Sequence, residues 1–267
     1  MKQEHVLEVG EAGSDRAVAG GPVGLSRREV LKAGAAALGG TVLGSLGSLL
    51  GTPRRSLADE AVRTGQFIFP RLHFTLLEDV PGVWDSDQQA DVTLRRKLSE
   101  LTNINVSTKP KVVRLADFDE MCRHPFVFMT SEGYFKLPDN EEKNLREFLE
   151  RGGFILADDC VYGKTGDRFF LFYVDLINKL FPDNPMRKIP YDHEVFHIYF
   201  QFRAGCPHMQ GVPHGAYGLF ERGTGRLMTI STPGDIHCGW VNRYWHDGRE
   251  LEAIKMGINI IIYFLSH

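Results

Sequence analysis

Short apolar runs and amphipathic segments alternate along the chain from about residue 66 onward. Four apolar runs have the length and residue types of buried strands, and they lie at 66–69 (stopped by Pro70), 111–115, 125–130 and 154–157. Three segments with apolar residues spaced three or four apart predict helices, at 87–101, 141–151 and 169–181. This alternation predicts an α/β fold, in which helices cover a mainly parallel sheet.

Local signals set the expected ends of two of these helices. Ser86 is placed to cap the helix over 87–101. Asp139 and Glu142 have the spacing of a capping box at the start of the helix over 141–151, and Gly152 is predicted to end it.

The pattern becomes antiparallel after about residue 182. Residues 196–202 alternate between apolar and polar and predict a strand. Residues 219–221 and 226–231 flank Gly223-Thr224-Gly225 and predict a C-terminal antiparallel hairpin. Residues 251–265 are apolar on nearly all sides and predict a buried helix, whose uninterrupted apolar run is too short to span a bilayer.

The first 58 residues have the layout of an export signal. Residues 25–32 (Leu-Ser-Arg-Arg-Glu-Val-Leu-Lys) match a twin-arginine (Tat) signal, and a mildly apolar stretch follows at 33–50. Ser56-Leu57-Ala58 has the small residues of a cleavage site. We therefore expect residues 1–58 to be a leader with a signal peptide, and residues 59–267 to form a single α/β domain.

This layout predicts export by the Tat translocase and a periplasmic location. The alternative is an uncleaved signal that anchors the protein in the membrane; after cleavage we expect no membrane span. The twin-arginine route carries folded proteins, so a cofactor inserted before export is compatible with it.

Composition and charge narrow the class of protein. The chain has 267 residues, 43% of them apolar and 24% charged, which excludes a disordered chain and a collagen-like fibre. The formal net charge of -3 gives no support to a nucleic-acid-binding function. The four cysteines, Cys122, Cys160, Cys206 and Cys238, allow three disulfide pairings, and their wide spacing favours none.

The carboxyl ends of the predicted parallel strands are the expected place for a site, because ligands gather there in α/β folds. Those ends are residues 71–73, 131–133 and 158–160. The predicted ligand-binding residues are Arg71, His73, Glu132, Asp158, Asp159 and His193. Two adjacent carboxylates, Asp158 and Asp159, have the chemistry of a general base or a metal ligand, although a structural role is equally open.

Three motifs suggest enzymes but lack part of what each chemistry needs. Gly163-Lys164-Thr165 lacks the first glycine of a phosphate-binding loop, because Asp158 occupies that position. Residues 193–197 spell H-E-x-x-H, but in a predicted strand the two histidines stand about 13 Å apart and cannot share a metal. Ser131 lacks the glycine two residues earlier that a nucleophile elbow requires.

Histidine is concentrated in one part of the chain. Five of the nine histidines after residue 58 lie between positions 193 and 237, together with Cys206 and Asp235. We predict no cofactor, and the alternative is a transition metal, because histidine and thiolate are suitable ligands for zinc, copper or iron. The candidate metal ligands are His193, His197, His237 and Cys238.

Several segments in one order resemble the domain of unknown function family 4159, over nearly the whole length of residues 59–267. They are residues 67–74 with Trp84, and residues 125–128, 145–154, 158–160, 192–197, 218–220 and 256–259. The resemblance implies a flavodoxin-like, three-layer sandwich similar to class I glutamine amidotransferases. The cysteine nucleophile of those enzymes has no counterpart here, since residues 130–133 read Thr-Ser-Glu-Gly.

The resemblance also bears on function. The family has no established activity, and some relatives carry von Willebrand A-type domains or lie near MoxR-type AAA+ ATPases, which implies a partner protein of one of these kinds. We therefore expect a non-catalytic domain that binds a ligand or a partner. The alternative is a hydrolase, with or without a metal, whose candidate catalytic residues are Asp158, Asp159, His193, Ser131 and Glu132.

Overall fold

A computed structural model describes residues 65–76, 84–133, 135–161 and 167–267. The predicted leader and signal peptide (residues 1–58) and the Gly163-Lys164-Thr165 segment lie outside the described residues.

A seven-stranded mixed sheet forms the centre of the described structure. The strands are β1 (Pro70–His73), β2 (Lys111–Arg114), β3 (Phe126–Ser131), β4 (Phe154–Asp159), β5 (Arg187–Lys188), β6 (Tyr217–Phe220) and β7 (Leu227–Thr232). Their order across the sheet is β2-β1-β3-β4-β7-β6-β5. The five strands from β2 to β7 in this order run parallel, whereas β6 and β5 are antiparallel to their neighbours.

Helices cover both faces of this sheet. They are α1 (Gln89–Leu101), α2 (Phe118–Cys122), α3 (Asp139–Glu150), α4 (Arg168–Leu180), α5 (Ile236–Val241) and α6 (Arg249–Ser266). A short 3-10 helix lies at Glu194–Phe196. The predicted fold class, a three-layer α/β sandwich with a mainly parallel sheet and an antiparallel end, is confirmed.

The period-two pattern of the central strands separates two hydrophobic cores. In β3, Phe126 and Phe128 pack with α1, α5 and α6 on one face of the sheet. Val127 and Met129 pack with α3 and α4 on the other face. Every residue of β3 is buried, as it is in β4, because helices cover both faces.

The first strand differs from the prediction. The expected strand over 66–69 is wrong, since β1 begins at Pro70 and Phe67 makes only one bridge, to Val106. Proline is tolerated at the first position of a strand, where no ladder hydrogen bond needs its missing N–H. Pro70 therefore starts the strand that it was expected to stop.

Both predicted N-terminal caps are wrong, although the helices themselves are present. The N-cap of α1 is Gln88 and that of α3 is Pro138, and neither makes a side-chain capping bond. Glu142 instead pairs with Lys179 of α4, at 2.6 Å. Gly152 follows the C-cap of α3 with a φ of 89°, and the predicted end of this helix is confirmed.

The predicted strand over 196–202 is also wrong. A buried side chain on α6, Asn259, accepts a hydrogen bond from the Phe200 backbone N–H and donates to the carbonyls of Val195 and Phe200. The amide therefore fixes this segment as an irregular loop, and its backbone bonds go to a side chain instead of a neighbouring strand.

The C-terminal elements agree with the pattern. The antiparallel pair β6–β7 and the buried helix α6 are both confirmed. None of the helices in the described ranges is long and apolar enough to cross a membrane.

His124, which precedes β3, makes stability depend on pH. Burial, together with the charges of Lys111 and Arg123, lowers its pKa from 6.5 to about 4. In the unfolded chain, His124 therefore becomes protonated as the pH falls below about 6.5, whereas in the folded chain it becomes protonated only near pH 4. Stability is lost as pH falls through this window, by up to about 3 kcal/mol.

We expect His124→Gln to remove this part of the acid sensitivity, because glutamine does not titrate. The free energy of unfolding of both proteins is measured by urea denaturation between pH 7 and pH 4.5. The free energy of unfolding of the wild type, relative to that of His124→Gln, should decrease as the pH falls. His246→Gln, at an exposed position, is the control and should show no such change. A pH-independent difference for His124→Gln would contradict the assignment.

Candidate functional site

The carboxyl ends of β1, β3, β4 and β7 meet at one edge of the sheet. β4 ends at Asp158 and Asp159, and Cys160 follows directly. β7 runs parallel to β4 and ends at Thr232, after which Asp235 begins the turn into α5. Two segments that are far apart in the chain therefore face each other at this edge.

Asp158 joins the sheet to α5. Its carboxylate accepts hydrogen bonds from the backbone N–H groups of Ile236 (3.3 Å) and His237 (2.9 Å) and from the Thr232 hydroxyl. The side chain is fully buried, and burial and the Asp235 charge raise its pKa well above the ordinary range. Asp158 thus acts as an anchor for the first turn of α5.

Asp159 has the same kind of role for α4. Its carboxylate accepts the Phe170 N–H at 2.8 Å, and only 1% of the residue is exposed. Burial raises its pKa to about 7, and the charges of Asp235 and Asp167 act in the same direction. Both predicted catalytic carboxylates are therefore bonded to backbone groups of helices.

Arg71 was predicted to bind a ligand and is instead enclosed by the protein. Its guanidinium donates two hydrogen bonds to Asp91, at 2.6 and 2.8 Å, and others to the carbonyls of Ser86 and Trp84. It also lies 2.9 Å from Nε2 of His237. With 2% exposure, Arg71 links β1, α1 and α5.

His237 has one ring nitrogen without a partner. Nε2 faces Arg71 and lies 3.8 Å from an Asp91 oxygen, and the Asp87 backbone also interacts with the ring. Nδ1 is buried and makes no hydrogen bond. Burial, with the Arg71 charge, lowers the pKa of His237 well below its usual value, so the ring is neutral.

Four metal-ligating residues come together at this point. Cys160, Asp235, His237 and Cys238 each place one ligand atom within 4.8 Å of the others. The two sulfur atoms are 3.9 Å apart, and both cysteines are free thiols. The contact with Cys160, together with burial, raises the pKa of the Cys238 thiol.

Asp235 is the N-cap of α5. Asp235 is fully buried in a left-handed conformation, with φ of 54°, which only a minority of non-glycine residues adopt. Its carboxylate accepts hydrogen bonds from the Cys238 N–H (3.2 Å), the Val161 N–H (3.1 Å) and the Gln210 amide. Burial raises its pKa.

The other predicted residues of this edge lie around the cluster. Glu132 is partly exposed, and its Oε1 lies 4.0 Å from the Cys160 sulfur; burial raises its pKa. Ser131 is fully buried and its hydroxyl has no hydrogen-bond partner. His73 is partly exposed, with its ring 4.4 Å from that of Trp84.

His193 and His197 are not part of this arrangement. The His193 ring packs on Phe220 and Tyr263, near Leu227, which is the first residue of β7. This is the amino end of β7, opposite to Asp158, so the predicted grouping of His193 with the strand-end carboxylates is not formed. His197 bonds to Gln201 and the Tyr191 carbonyl.

The H-E-x-x-H segment forms a 3-10 turn, so the strand geometry used to exclude a zinc protease is wrong. His193 Nδ1 accepts the Val195 N–H, and Glu194 lies 3.1 Å from His267. Within the part of the chain that the structure describes, neither histidine belongs to a group of three or more potential ligands.

The sequence predicts His237 and Cys238 as metal ligands and places Asp235 in the same histidine-rich stretch, but it does not connect them with Cys160. The available signal was the D-x-H-C spacing directly after the last predicted strand. The sequence pattern predicts that strand only as half of an antiparallel hairpin. Because β7 is also parallel to β4, its carboxyl end belongs to the same edge.

Comparison with protein-family models identifies a family. A family model described as "Domain of unknown function (DUF4159)" matches residues 71–265, from β1 into the last turn of α6. No curated protein matches the chain.

We expect Asp158→Ala to reduce the free energy of unfolding by about 3 kcal/mol or more, because it leaves two buried N–H groups and a hydroxyl without their acceptor. Asp158→Asn keeps one acceptor oxygen and should therefore reduce the free energy of unfolding by less than Asp158→Ala does. Chemical denaturation measures both, with the exposed Asp175→Ala on α4 as a matched control that stays within about 0.5 kcal/mol of the wild type. Equal stability of Asp158→Ala and Asp175→Ala would contradict the anchor role.

Proposed function

The chain belongs to the DUF4159 family, and we propose that its α/β domain is a non-catalytic binding domain for a partner protein, exported by the twin-arginine route. One observation carries the molecular part of this proposal. Asp158 and Asp159, the carboxylates best placed for catalysis, are buried and accept hydrogen bonds from the backbone of α5 and α4. Groups that hold helices in this way are not available to a substrate.

Three exposed apolar side chains lie on two segments near the same edge. Leu171 and Phe172, in the first turns of α4, are 49% and 45% exposed, and Val212 is 45% exposed. Val212 lies two residues before His214, whose Nε2 is 2.7 Å from Asp167 at the start of α4. We call Leu171, Phe172 and Val212 the edge patch.

The edge patch has the chemistry of a protein contact. Isolated exposed apolar residues are ordinary, but these come from two segments that meet through the His214–Asp167 bond. The His214 ring also stacks on Phe170, with ring centres 5.1 Å apart. These contacts hold the two segments in one position, which lowers the entropic cost of binding a partner.

Export selects between the two kinds of partner that the family resemblance implies. An AAA+ ATPase of the MoxR kind uses ATP and therefore works in the cytoplasm. A periplasmic domain would not come into contact with it. A protein with a von Willebrand A-type domain, located outside the cytoplasm, is compatible with export and is the partner we propose.

A hydrolase, with or without a metal, is the alternative function, and one observation favours it. Glu132 is partly exposed at the edge, next to Cys160, where a carboxylate could act as a general base; burial and the Asp235 charge raise its pKa. This alternative depends on Glu132, because Asp158 and Asp159 are bonded to helix backbones.

We expect Leu171→Ser/Phe172→Ser to weaken partner binding at least about tenfold, because it removes most of the exposed apolar area of the edge patch. The immobilised wild-type chain and the variant are compared for retention of proteins from a periplasmic extract of the source cells. Leu251→Ser, at a 43% exposed position of α6, is the matched control. A partner retained equally by all three proteins would contradict the role of the edge patch.

Export has its own test at Arg27 and Arg28. We expect Arg27→Lys/Arg28→Lys to keep the protein in the cytoplasm, because the twin-arginine signal depends on the guanidinium pair. Cell fractionation followed by immunodetection measures the location and the size of the product. The same substitution at Arg54 and Arg55 is the control and should not block export. Periplasmic Arg27→Lys/Arg28→Lys protein in normal amounts would overturn the proposed route.

A further inference from the structure

The four potential ligand atoms at the strand-end edge lie within 4.8 Å of one another, and the two sulfurs have a spacing that a metal ion can bridge. Two sulfurs bound to one tetrahedral zinc, each at about 2.3 Å, lie about 3.8 Å from each other. The Cys160 and Cys238 sulfurs are 3.9 Å apart. This is the distance of a hydrogen bond between two thiols, and it also matches the spacing of two ligands of one shared ion.

The unpartnered nitrogen of His237 is a second and independent observation. Nδ1 is buried without a hydrogen bond, which ordinarily costs about 1–3 kcal/mol. Nε2 lies 2.9 Å from the Arg71 guanidinium and 3.8 Å from an Asp91 oxygen, which leaves Nδ1 to coordinate an ion. Coordination through Nδ1 requires the ring proton to be on Nε2, where the Asp91 carboxylate is the acceptor. A bound cation would give Nδ1, in the tautomer with the proton on Nε2, the partner that it lacks.

Surrounding hydrogen bonds hold the potential ligands in place. The Asp158 carboxylate holds the His237 backbone, and Gln210 and the Val161 N–H orient the Asp235 carboxylate. Such supporting contacts are typical of metal sites, where they fix the ligand side chains before the ion arrives.

We propose that Cys160, Asp235, His237 and Cys238 bind one thiophilic divalent metal ion, with Zn²⁺ as the ion that fits best. Two thiolates, one imidazole and one carboxylate are borderline-soft ligands suited to zinc. Binding releases the protons of the two thiols, and the resulting three negative charges of the ligand set attract a cation.

Four protein ligands make this a closed site, which is typical of structural zinc. The ion would connect the end of β4 to the first turn of α5, the same elements that Asp158 joins. The role is therefore to stabilise the strand-end edge. This inference does not depend on the proposed partner-binding function, because it concerns the isolated chain.

Cobalt binding tests the site directly. The purified full-length chain, kept reduced, is titrated with Co²⁺, whose bonds to thiolates give a charge-transfer band in the near ultraviolet. We expect one Co²⁺ per chain, a tetrahedral visible spectrum and displacement by Zn²⁺. Cys160→Ser and Cys238→Ser should each lose about half of the band and weaken binding by more than about 100-fold. Cys122→Ser, at an exposed cysteine, should match the wild type.

A second measurement uses only the wild type, in case the serine variants do not fold. Zn²⁺ should protect Cys238, which is partly exposed, from alkylation by iodoacetamide, while the exposed Cys122 still reacts. Mass spectrometry of the digested protein reports both sites.

Three results would overturn the proposal. They are the lack of a charge-transfer band in the wild type, unchanged binding in both cysteine variants, and alkylation of Cys238 at the same rate with and without Zn²⁺. A native Cys160–Cys238 disulfide in protein recovered from cells would also overturn it, because both sulfurs would then be consumed. Failure of the partner experiment would leave these results unaffected.

Discussion

The buried carboxylate of Asp158 is the interaction on which the strand-end edge depends. It lies at the end of a central strand, between β3 and β7, and accepts hydrogen bonds from Thr232, Ile236 and His237. A buried carboxyl group is expensive unless its oxygens are bonded, so these partners have little freedom to move. The position of α5, and with it that of His237 and Cys238, follows from this constraint.

A network of polar contacts extends from this anchor to the neighbouring elements. His237 meets Arg71, which is bonded to Asp91 of α1, while Asp159 holds the start of α4. Strand ends in α/β folds commonly present polar groups to a ligand. Here most of these polar groups form hydrogen bonds within the protein. Two separate features remain at this edge, namely a buried set of metal-ligating atoms and the exposed edge patch. Both are compatible with a domain that binds without catalysis.

The elements that were predicted correctly have strong local signals. The buried strands β3 and β4 and the helices α3 and α4 are long, periodic segments whose pattern is satisfied by one simple packing. Two of the errors fall where a distant group replaces a local one. Residues 196–202 alternate like a strand, but Asn259 of α6 takes their backbone bonds, and Glu142 pairs with Lys179 instead of closing a capping box.

The sequence by itself determined the α/β class, the positions of most strands and helices along the chain, and the carboxylates at the strand ends. Periodicity and turn residues encode these features because they act over short distances. Only the tertiary structure decided what those carboxylates do. It brought Cys160 to Cys238, 78 positions later, because β7 lies beside β4 and runs parallel to it. It also placed His193 at the opposite edge, because β6 reverses direction. Strand order and direction arise from packing over the whole chain, and no local pattern encodes them.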